Sequence, residues 1–395
     1  MGARRARSSR RLAVQYRLLG KRTGLKVSAL GFGAMRLPMT ADEKQVDRDL
    51  ALPMLRRAFE GGVNYLDSAV GYLNEDSQRA CGEALADWFR DHPRSSMVVS
   101  TKNPHYDKND QATWWRNLEN SLERMRVDYL DVYHHHSLNG QAFDEQVSGP
   151  DGLYHEMEKA RDRGLIRHIA FSFHDTPEQL LRVIETQMFD SMTVQYNLIS
   201  QTNAAAMARA HELGMGVVVM GPVGGGKLSV TSGPLGEALP KGVATTPELA
   251  IRFVLANPAV SVALSGMTRL TDVEQNLRAA SRREPLSASE QAETVSAIGR
   301  LKKLAEMYCT GCRYCEPCPQ GVRIADIFAH LIIHEVYGAQ QRARDGYAFM
   351  ARANGQTGKK LAEGCIECGV CETKCPQKIK IIEQLKKTRR LLEQA

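Results

Sequence analysis

The chain is almost free of cysteine until residue 309. Of nine cysteines only Cys81 lies earlier, and the other eight fall between Cys309 and Cys375. A disulfide-stapled exported protein would carry bridges through its main body, so that class is excluded for the first three quarters, and a reducing, cytoplasmic setting is the expectation. No run approaches the ~20 consecutive apolar residues that a membrane helix needs. No apolar segment follows the basic N-terminus, which therefore does not read as a secretory signal. Charge of one sign is scarce too: Arg4, Arg5, Arg7, Arg10 and Arg11 carry five of the net +7. The +2 left over the rest is too balanced for a nucleic-acid-binding surface. Residues 1–14 read as a flexible basic tail. With 43% hydrophobic and 25% charged residues, the remainder is ordinary globular protein, long enough for one large domain and a small one.

From about residue 15 to 285, short apolar runs alternate with segments of helical period. The runs are Val27–Gly33, Val63–Asp67, Met97–Thr101, Tyr129–Tyr133, Ile166–Ser172, Met192–Tyr196, Gly216–Met220 and Val260–Leu264. Near-continuous apolar strands separated by helices imply a parallel sheet covered by helices. Eight repeats predict an α/β fold, a (β/α)8 TIM barrel. Trp115, Leu118, Leu122 and Met125 are spaced for one face of a helix. Thr176-Pro177-Glu178 and Thr246-Pro247-Glu248 each place a capping Thr, then Pro, then an acid at a helix start. Residues 286–395 are expected to hold a linker helix, about Ala288 to Met307, and a small α-helical, ferredoxin-like iron–sulfur domain. Residues 339–360 carry no clear signal.

The cysteines form two runs, Cys309-Thr-Gly-Cys312-Arg-Tyr-Cys315-Glu-Pro-Cys318-Pro319 and Cys365-Ile-Glu-Cys368-Gly-Val-Cys371-Glu-Thr-Lys-Cys375-Pro376. The second is the bacterial ferredoxin run, in which three thiolates at i, i+3 and i+6 wrap one cubane and the fourth ligates the partner cluster. That rule assigns Cys309, Cys312, Cys315 and Cys375 to one [4Fe–4S] cluster, and Cys365, Cys368, Cys371 and Cys318 to the other. A zinc ribbon needs only two C-x2-C knuckles and leaves the third and fourth Cys of each run unexplained. With few large apolar residues in view, this segment is expected to unfold without iron.

Active sites of such barrels lie at the C-terminal ends of the strands. Asp67 and Tyr72 follow the second strand, Lys102 the third and His136 the fourth. Tyr72 is the candidate general acid, giving its phenolic proton to a carbonyl oxygen. An ordinary phenol donates too weakly at neutral pH, and a neighbouring Lys102 ammonium would favour the phenolate while Asp67 keeps Lys102 charged. His136 would orient the carbonyl. Strand alternation sends His134 and His135 to opposite faces, against a metal site in the His triplet.

The body resembles the aldo-keto reductases. The resemblance rests on Leu19–Met35, the Asp67-x4-Tyr72 spacing, Ser100-Thr-Lys102 and Asp128–His136. With the cysteine runs, the whole chain resembles the branch that carries a C-terminal 4Fe–4S domain. The resemblance implies that Asp67, Tyr72, Lys102 and His136 form the catalytic tetrad, His136 being selected by the D-x-Y-x-x-H pattern from Asp131. It implies NADP(H) across the barrel mouth, with Gly33 and Met35 after the first strand and Ser172 and Gln195 at the nicotinamide amide. Phe173 and Met220 depart from the Asn and Tyr usual beside it. Gly221, Pro222, Gly224, Gly226 and Lys227 would face the pyrophosphate. Thr268, Arg269, Gln275 and Asn276 would hold the adenosine end, with Arg269 suited to a 2′-phosphate. The Gly221–Lys227 run also spells a P-loop, but Leu228 stands where that loop needs Ser or Thr for Mg²⁺.

These features predict an oxidoreductase that reduces a small-molecule carbonyl to an alcohol. A second reading has the clusters move single electrons through a flavin, FMN, at the altered mouth, to or from an electron-transfer protein. A third makes the barrel a non-catalytic binding module with the clusters as redox sensor. No nucleic-acid or membrane partner is expected.

Overall fold

The computed structural model describes residues 14–42, 44–104, 111–198, 200–224, 243–282, 313–335, 340–354, 360–375 and 377–393, with isolated positions such as Leu228 and Cys309 between them. Two short strands, β1 (Tyr16–Leu18) and β2 (Lys26–Ser28), pair antiparallel. Eight strands then close a parallel barrel: β3 (Leu30–Gly33), β4 (Tyr65–Asp67), β5 (Val98–Pro104), β6 (Leu130–Leu138), β7 (Ile166–Phe173), β8 (Ser191–Gln195), β9 (Gly216–Met220) and β10 (Val262–Gly266), with β10 pairing β3. Each strand leads into a helix: α1 (Arg48–Glu60), α2 (Ser77–Trp88), α3 (Gln111–Met125), α4 (Leu153–Asp162), α5 (Pro177–Glu185), α6 (Ala204–Glu212), α7 (Thr246–Ala256) and α8 (Leu270–Ala280). The expected (β/α)8 architecture is therefore present.

Three local expectations are corrected. The apolar run Val27–Gly33 is not one strand: Val27 belongs to the β1–β2 hairpin and only Leu30 onward joins the barrel. The hairpin turns at Gly20, whose φ of +67° and close approach to the Gly216 backbone leave no room for a side chain. The inner face of α3 starts at Trp114 and runs through Leu118, Ser121 and Met125. Trp115 lies half-buried and donates its indole N–H to Glu156 at 2.7 Å. The cap of α7 is Thr245, accepting the Glu248 N–H at 3.2 Å, while Thr246 is already helical. The cap of α5 is Thr176, as the sequence predicts, with Pro177 in the first turn where its missing N–H costs nothing.

The barrel interior changes character from bottom to top. Tyr65, Val98, Val132, Ala170, Val218 and Val262 form an apolar layer around Leu19. Strand side chains repeat every two residues, so the next inward layer holds Asp67, Ser100, His134, Ser172 and Thr193. Lys102, His136, His174 and Gln195 follow at the rim. The chain thus builds a dry floor and a polar mouth on one set of strands.

Beyond the barrel, α9 (Ile324–Glu335), α10 (Gln340–Asn354) and α11 (Ile381–Leu392) pack together. The unassigned stretch 339–360 is thus largely helix. Ile327, Phe328, Leu331, Ile332, Tyr347, Ile381 and Leu385 are buried, so this region buries more apolar surface than its composition suggested. Of the expected linker helix only Ser289, Glu290, Glu293 and Ser296 are described, each as helix, and residues 1–13 lie outside the described residues. Among the described residues no helix is long and apolar enough to cross a membrane.

Candidate active site

Asp67, Lys102, Tyr72 and His136 meet at the top of the barrel. Asp67 and Lys102 are 2% and 3% exposed, which makes their pairing obligatory, because an unpaired charge there would be prohibitively desolvated. Lys102 Nζ donates to Asp67 Oδ2 and to the Ser68 carbonyl, the latter at 2.8 Å. Ser100 donates to the other carboxylate oxygen, Oδ1, at 2.8 Å. Burial opposes both charges. For Lys102, Asp67 and Tyr72 outweigh it and hold the ammonium above its ordinary pKa. For Asp67, burial prevails over Lys102 and Ser100, and its pKa lies above the ordinary carboxylate value.

Tyr72 sits over this pair. Its ring centroid is 5.1 Å from Lys102 Nζ, near enough for Tyr72 to help hold the Lys102 pKa up. The loop that carries it is unusual: Leu73, Asn74 and Glu75 are successive left-handed residues with φ of 53°, 56° and 66°. Three non-glycine residues in that region need outside support. Asp76 supplies it by accepting the Val46 N–H at 2.8 Å and pairing with Arg48 at 2.8 Å.

His136 is aimed by a bulge. The β6–β7 register shifts between His135 and Leu138, Ser137 adopts φ +56°, and its N–H donates to Ser172 Oγ at 2.8 Å. Such a bulge turns the preceding side chain out of the regular pleat. The His136 ring meets the Tyr72 ring edge-on at 5.6 Å. His134 and His135 go elsewhere. His134 is buried inside the barrel between Thr101 and Thr193, and His135 packs outward against Phe189.

The remaining mouth positions lie along the same rim. Gly33 is in register with Gly266, and Met35 stands exposed beyond it. Ser172 is buried beneath Ser137. Gln195 ends β8, its carbonyl accepting from Asn203 at 3.0 Å. Met220 ends β9, followed by Gly221 (φ +65°), Pro222 and Gly224 (φ +59°). Asn197 donates to the Gly221 carbonyl at 3.1 Å. Gly226 and Lys227 lie outside the described residues. Thr268 and Arg269 open α8, both tied to Asp272. Gln275 is exposed, whereas Asn276 is buried and donates inward to Ser265 Oγ at 3.0 Å.

Two contributors were not singled out as site residues from sequence: Ser100 and His134. The signal was available, since both share the strand parity of Lys102 and His136.

In the C-terminal region, Cys318, Cys365, Cys368 and Cys371 line one cavity, closed on its apolar side by Val322, Ile382 and Leu385. This is the quartet that the ferredoxin spacing assigns to a single cluster. Four thiols around one apolar-backed cavity are the donor set an iron–sulfur cubane takes. Cys309, Cys315 and Cys375 are buried, and Cys312 lies outside the described residues. Among those residues no group of three His, Cys, Asp or Glu is drawn tight enough for a single metal ion. Cys81 is fully buried within α2, and its thiol is pushed up to about 12 by burial, which fits packing rather than reactivity.

Residues 29–298 match the Aldo/keto reductase family, and residues 308–380 match a 4Fe-4S dicluster domain. The chain is 28% identical over 308 residues to L-galactose dehydrogenase of Arabidopsis thaliana, covering 72% of this chain and 93% of that protein. It is 24% identical to probable aldo-keto reductase 1 of Glycine max, covering 65% and 82%. Among solved structures, the holo form of aldo-keto reductase AKR11C1 from Bacillus halodurans superposes with a TM-score of 0.59 at 24% identity, over 72% of this chain and 96% of that one. An aldo/keto reductase from Klebsiella pneumoniae, in complex with NADP and acetate, gives 0.55 at 23%, over 69% and 92%. Barrel, mouth and cysteine-rich extension together place this chain in the aldo/keto reductase family of oxidoreductases, with a 4Fe–4S domain at its C-terminus.

Proposed function

We propose that the protein reduces a small-molecule carbonyl to an alcohol with NADP(H), Tyr72 acting as general acid. The observation that carries this reading is the buried Lys102, held between Asp67 and Tyr72 at the barrel mouth. A bound nicotinamide would supply two electrons and a hydrogen to the carbonyl carbon. Tyr72 gives its phenolic proton to the carbonyl oxygen, and the Lys102 ammonium stabilises the phenolate left behind. Asp67 and the Ser68 carbonyl keep that ammonium charged and in place. His136, edge-on to Tyr72, directs the carbonyl oxygen toward the phenol. Ser172, Gln195 and the Gly221–Gly224 turn are the residues that would seat the cofactor, and the NADP in the Klebsiella pneumoniae relative supports the same choice here.

Two [4Fe–4S] clusters would be held by Cys318, Cys365, Cys368 and Cys371, and by Cys309, Cys312, Cys315 and Cys375. A domain division near residue 285 accommodates both. The test is Tyr72→Phe: carbonyl reduction falls by at least about 100-fold while NADPH binding, read by fluorescence, stays unchanged. Retained reduction, or no NADPH binding by the unmodified protein, overturns the reading.

The electron-transfer reading keeps one specific support: Met220 and Phe173 stand at the mouth where the family usually has Tyr and Asn. A yellow flavin released on denaturation after anaerobic purification would favour it.

A further inference from the structure

Tyr314 directly precedes Cys315, and Gln377 follows Cys375 by two residues, so the cysteines assigned to one cluster fix both. Both residues reach across to the barrel. Tyr314 and Gln377 line a cleft together with Phe173, His174, Gln195 and Asn203. Phe173 ends β7, His174 follows it, and Gln195 ends β8, so this cleft opens on the rim that carries Lys102 and His136. Burial, and after it the Lys102 charge, lowers the His174 pKa to about 4. Tyr314 lines a second cleft as well, between Asn139 and Asp175 of the barrel and Cys375. Tyr314 therefore stands between a cysteine of the iron–sulfur domain and the mouth of the barrel.

We propose that the iron–sulfur domain supplies the outer wall of the substrate pocket, with Tyr314 and Gln377 as specificity-determining residues contributed from outside the barrel. The inference rests on the carbonyl-reductase reading of the mouth. Tyr314 and Gln377 bring a phenol and an amide, and the facing Gln195 brings another, while the Asn203 amide already donates to the Gln195 carbonyl. Asp175 is already engaged, its carboxylate accepting from the Gly140 and Thr176 N–H groups. Neutral donors and acceptors of this kind favour a hydroxyl-bearing carbon skeleton over the same skeleton without hydroxyls, because only the hydroxyls add hydrogen bonds to them. The wall thus fits a neutral, hydroxyl-bearing carbonyl compound. It also makes the pocket depend on cluster assembly: without the cysteine ligands in place, Tyr314 and Gln377 are not held against the barrel.

The test measures binding without turnover. In cluster-loaded protein carrying Tyr72→Phe and saturated with NADP⁺, glyceraldehyde and propanal share a three-carbon chain and differ in hydroxyl groups. Adding Tyr314→Phe or Gln377→Ala should weaken glyceraldehyde about three- to tenfold, the loss of one neutral hydrogen bond, and leave propanal within about twofold, by calorimetry. Iron content and visible cluster absorbance must match the parent. Equal weakening of both aldehydes, no weakening of either, or no glyceraldehyde binding to the parent overturns the proposal. Persistent carbonyl reduction by the Tyr72→Phe protein would instead strike the reductase reading, and the binding comparison would still stand on its own.

Discussion

Ser100 donates its hydroxyl to Asp67 Oδ1, the carboxylate oxygen that Lys102 does not take, at 2.8 Å. Behind it, His134 Nδ1 lies 3.2 Å from the Thr101 carbonyl and 3.5 Å from Ser100 Oγ, and Nε2 lies 3.1 Å from Thr193 Oγ1. A carbonyl only accepts, so Nδ1 carries the hydrogen and Nε2 accepts from Thr193. Burial and the Lys102 charge hold the His134 pKa well below its ordinary value. The ring is therefore a neutral strut behind Ser100. Ser100→Ala should leave Asp67 Oδ1 buried and short of a donor, costing about 1–3 kcal/mol. Urea denaturation should show that loss, and kcat should fall several-fold with KM unchanged, because the defect lies behind Lys102 and not against substrate. Ser100→Thr should restore both.

Lys102 and Asp67 are separable by a double substitution. Lys102→Met leaves the Asp67 carboxylate buried without its cation, a loss on the order of 3–5 kcal/mol. Adding Asp67→Asn removes the orphaned charge and should recover most of that stability. Activity should stay lost in both proteins, since neither has an ammonium beside Tyr72. Recovery of turnover in the double variant would show that Lys102 acts only through the fold.

His174 predicts an acid-sensitive contribution to stability. Burial, then the Lys102 charge, depress its pKa from 6.5 to about 4. Between those values the unfolded chain binds a proton that the folded chain refuses, so stability rises with pH and is lost on acidification through that window. The contribution is at most about 3 kcal/mol. His174→Asn should flatten the difference in urea midpoint between pH 6.5 and pH 4 relative to the parent. An unchanged slope would show that His174 protonates freely in the folded state.

If the protein uses NADP(H) as proposed, Arg269 and Asp272 bear on cofactor choice. Arg269 lies on the surface at the start of α8, paired with Asp272 at 2.9 Å. An exposed pair of this kind is worth little to stability, so the guanidinium can turn to a 2′-phosphate at small cost. Arg269→Ala should weaken NADPH roughly tenfold, a loss of about 1.4 kcal/mol, while leaving NADH binding and thermal stability unchanged. Equal losses for both cofactors would assign Arg269 to another part of the site.

The barrel was legible because eight apolar runs at regular spacing admit few other folds, and the strand ends marked where its ionisable residues gather. What the sequence hid is set by three-dimensional closure. The split of Val27–Gly33 depends on the Gly20 turn meeting Gly216, nearly two hundred residues away. The aim of His136 depends on a bulge that no spacing announces. Ser100 was visible beside Lys102, but its role needs the depth of the Asp67 carboxylate. Helix α10 was missed because its sequence is polar and Arg-rich, and it is held by α9, whose apolar face is continuous.

The buried apolar residues of the C-terminal region separate two accounts of what iron does there. Composition alone predicts collapse without metal, whereas Ile327, Phe328, Leu331, Ile332, Ile381 and Leu385 are buried together under α9 and α11. Cys371 is the only buried member of its quartet; Cys318 and Cys365 are half-buried and Cys368 is exposed. Cys371→Ala should therefore remove one cluster, taking iron from about eight to about four atoms per chain. Hydrogen exchange should then rise across residues 365–371, whose backbone depends on the cysteines. Amides of α9 and α11 should stay protected, because burial of their apolar faces does not require the metal. Loss of protection across both helices would show that the cluster, not apolar burial, holds this region together.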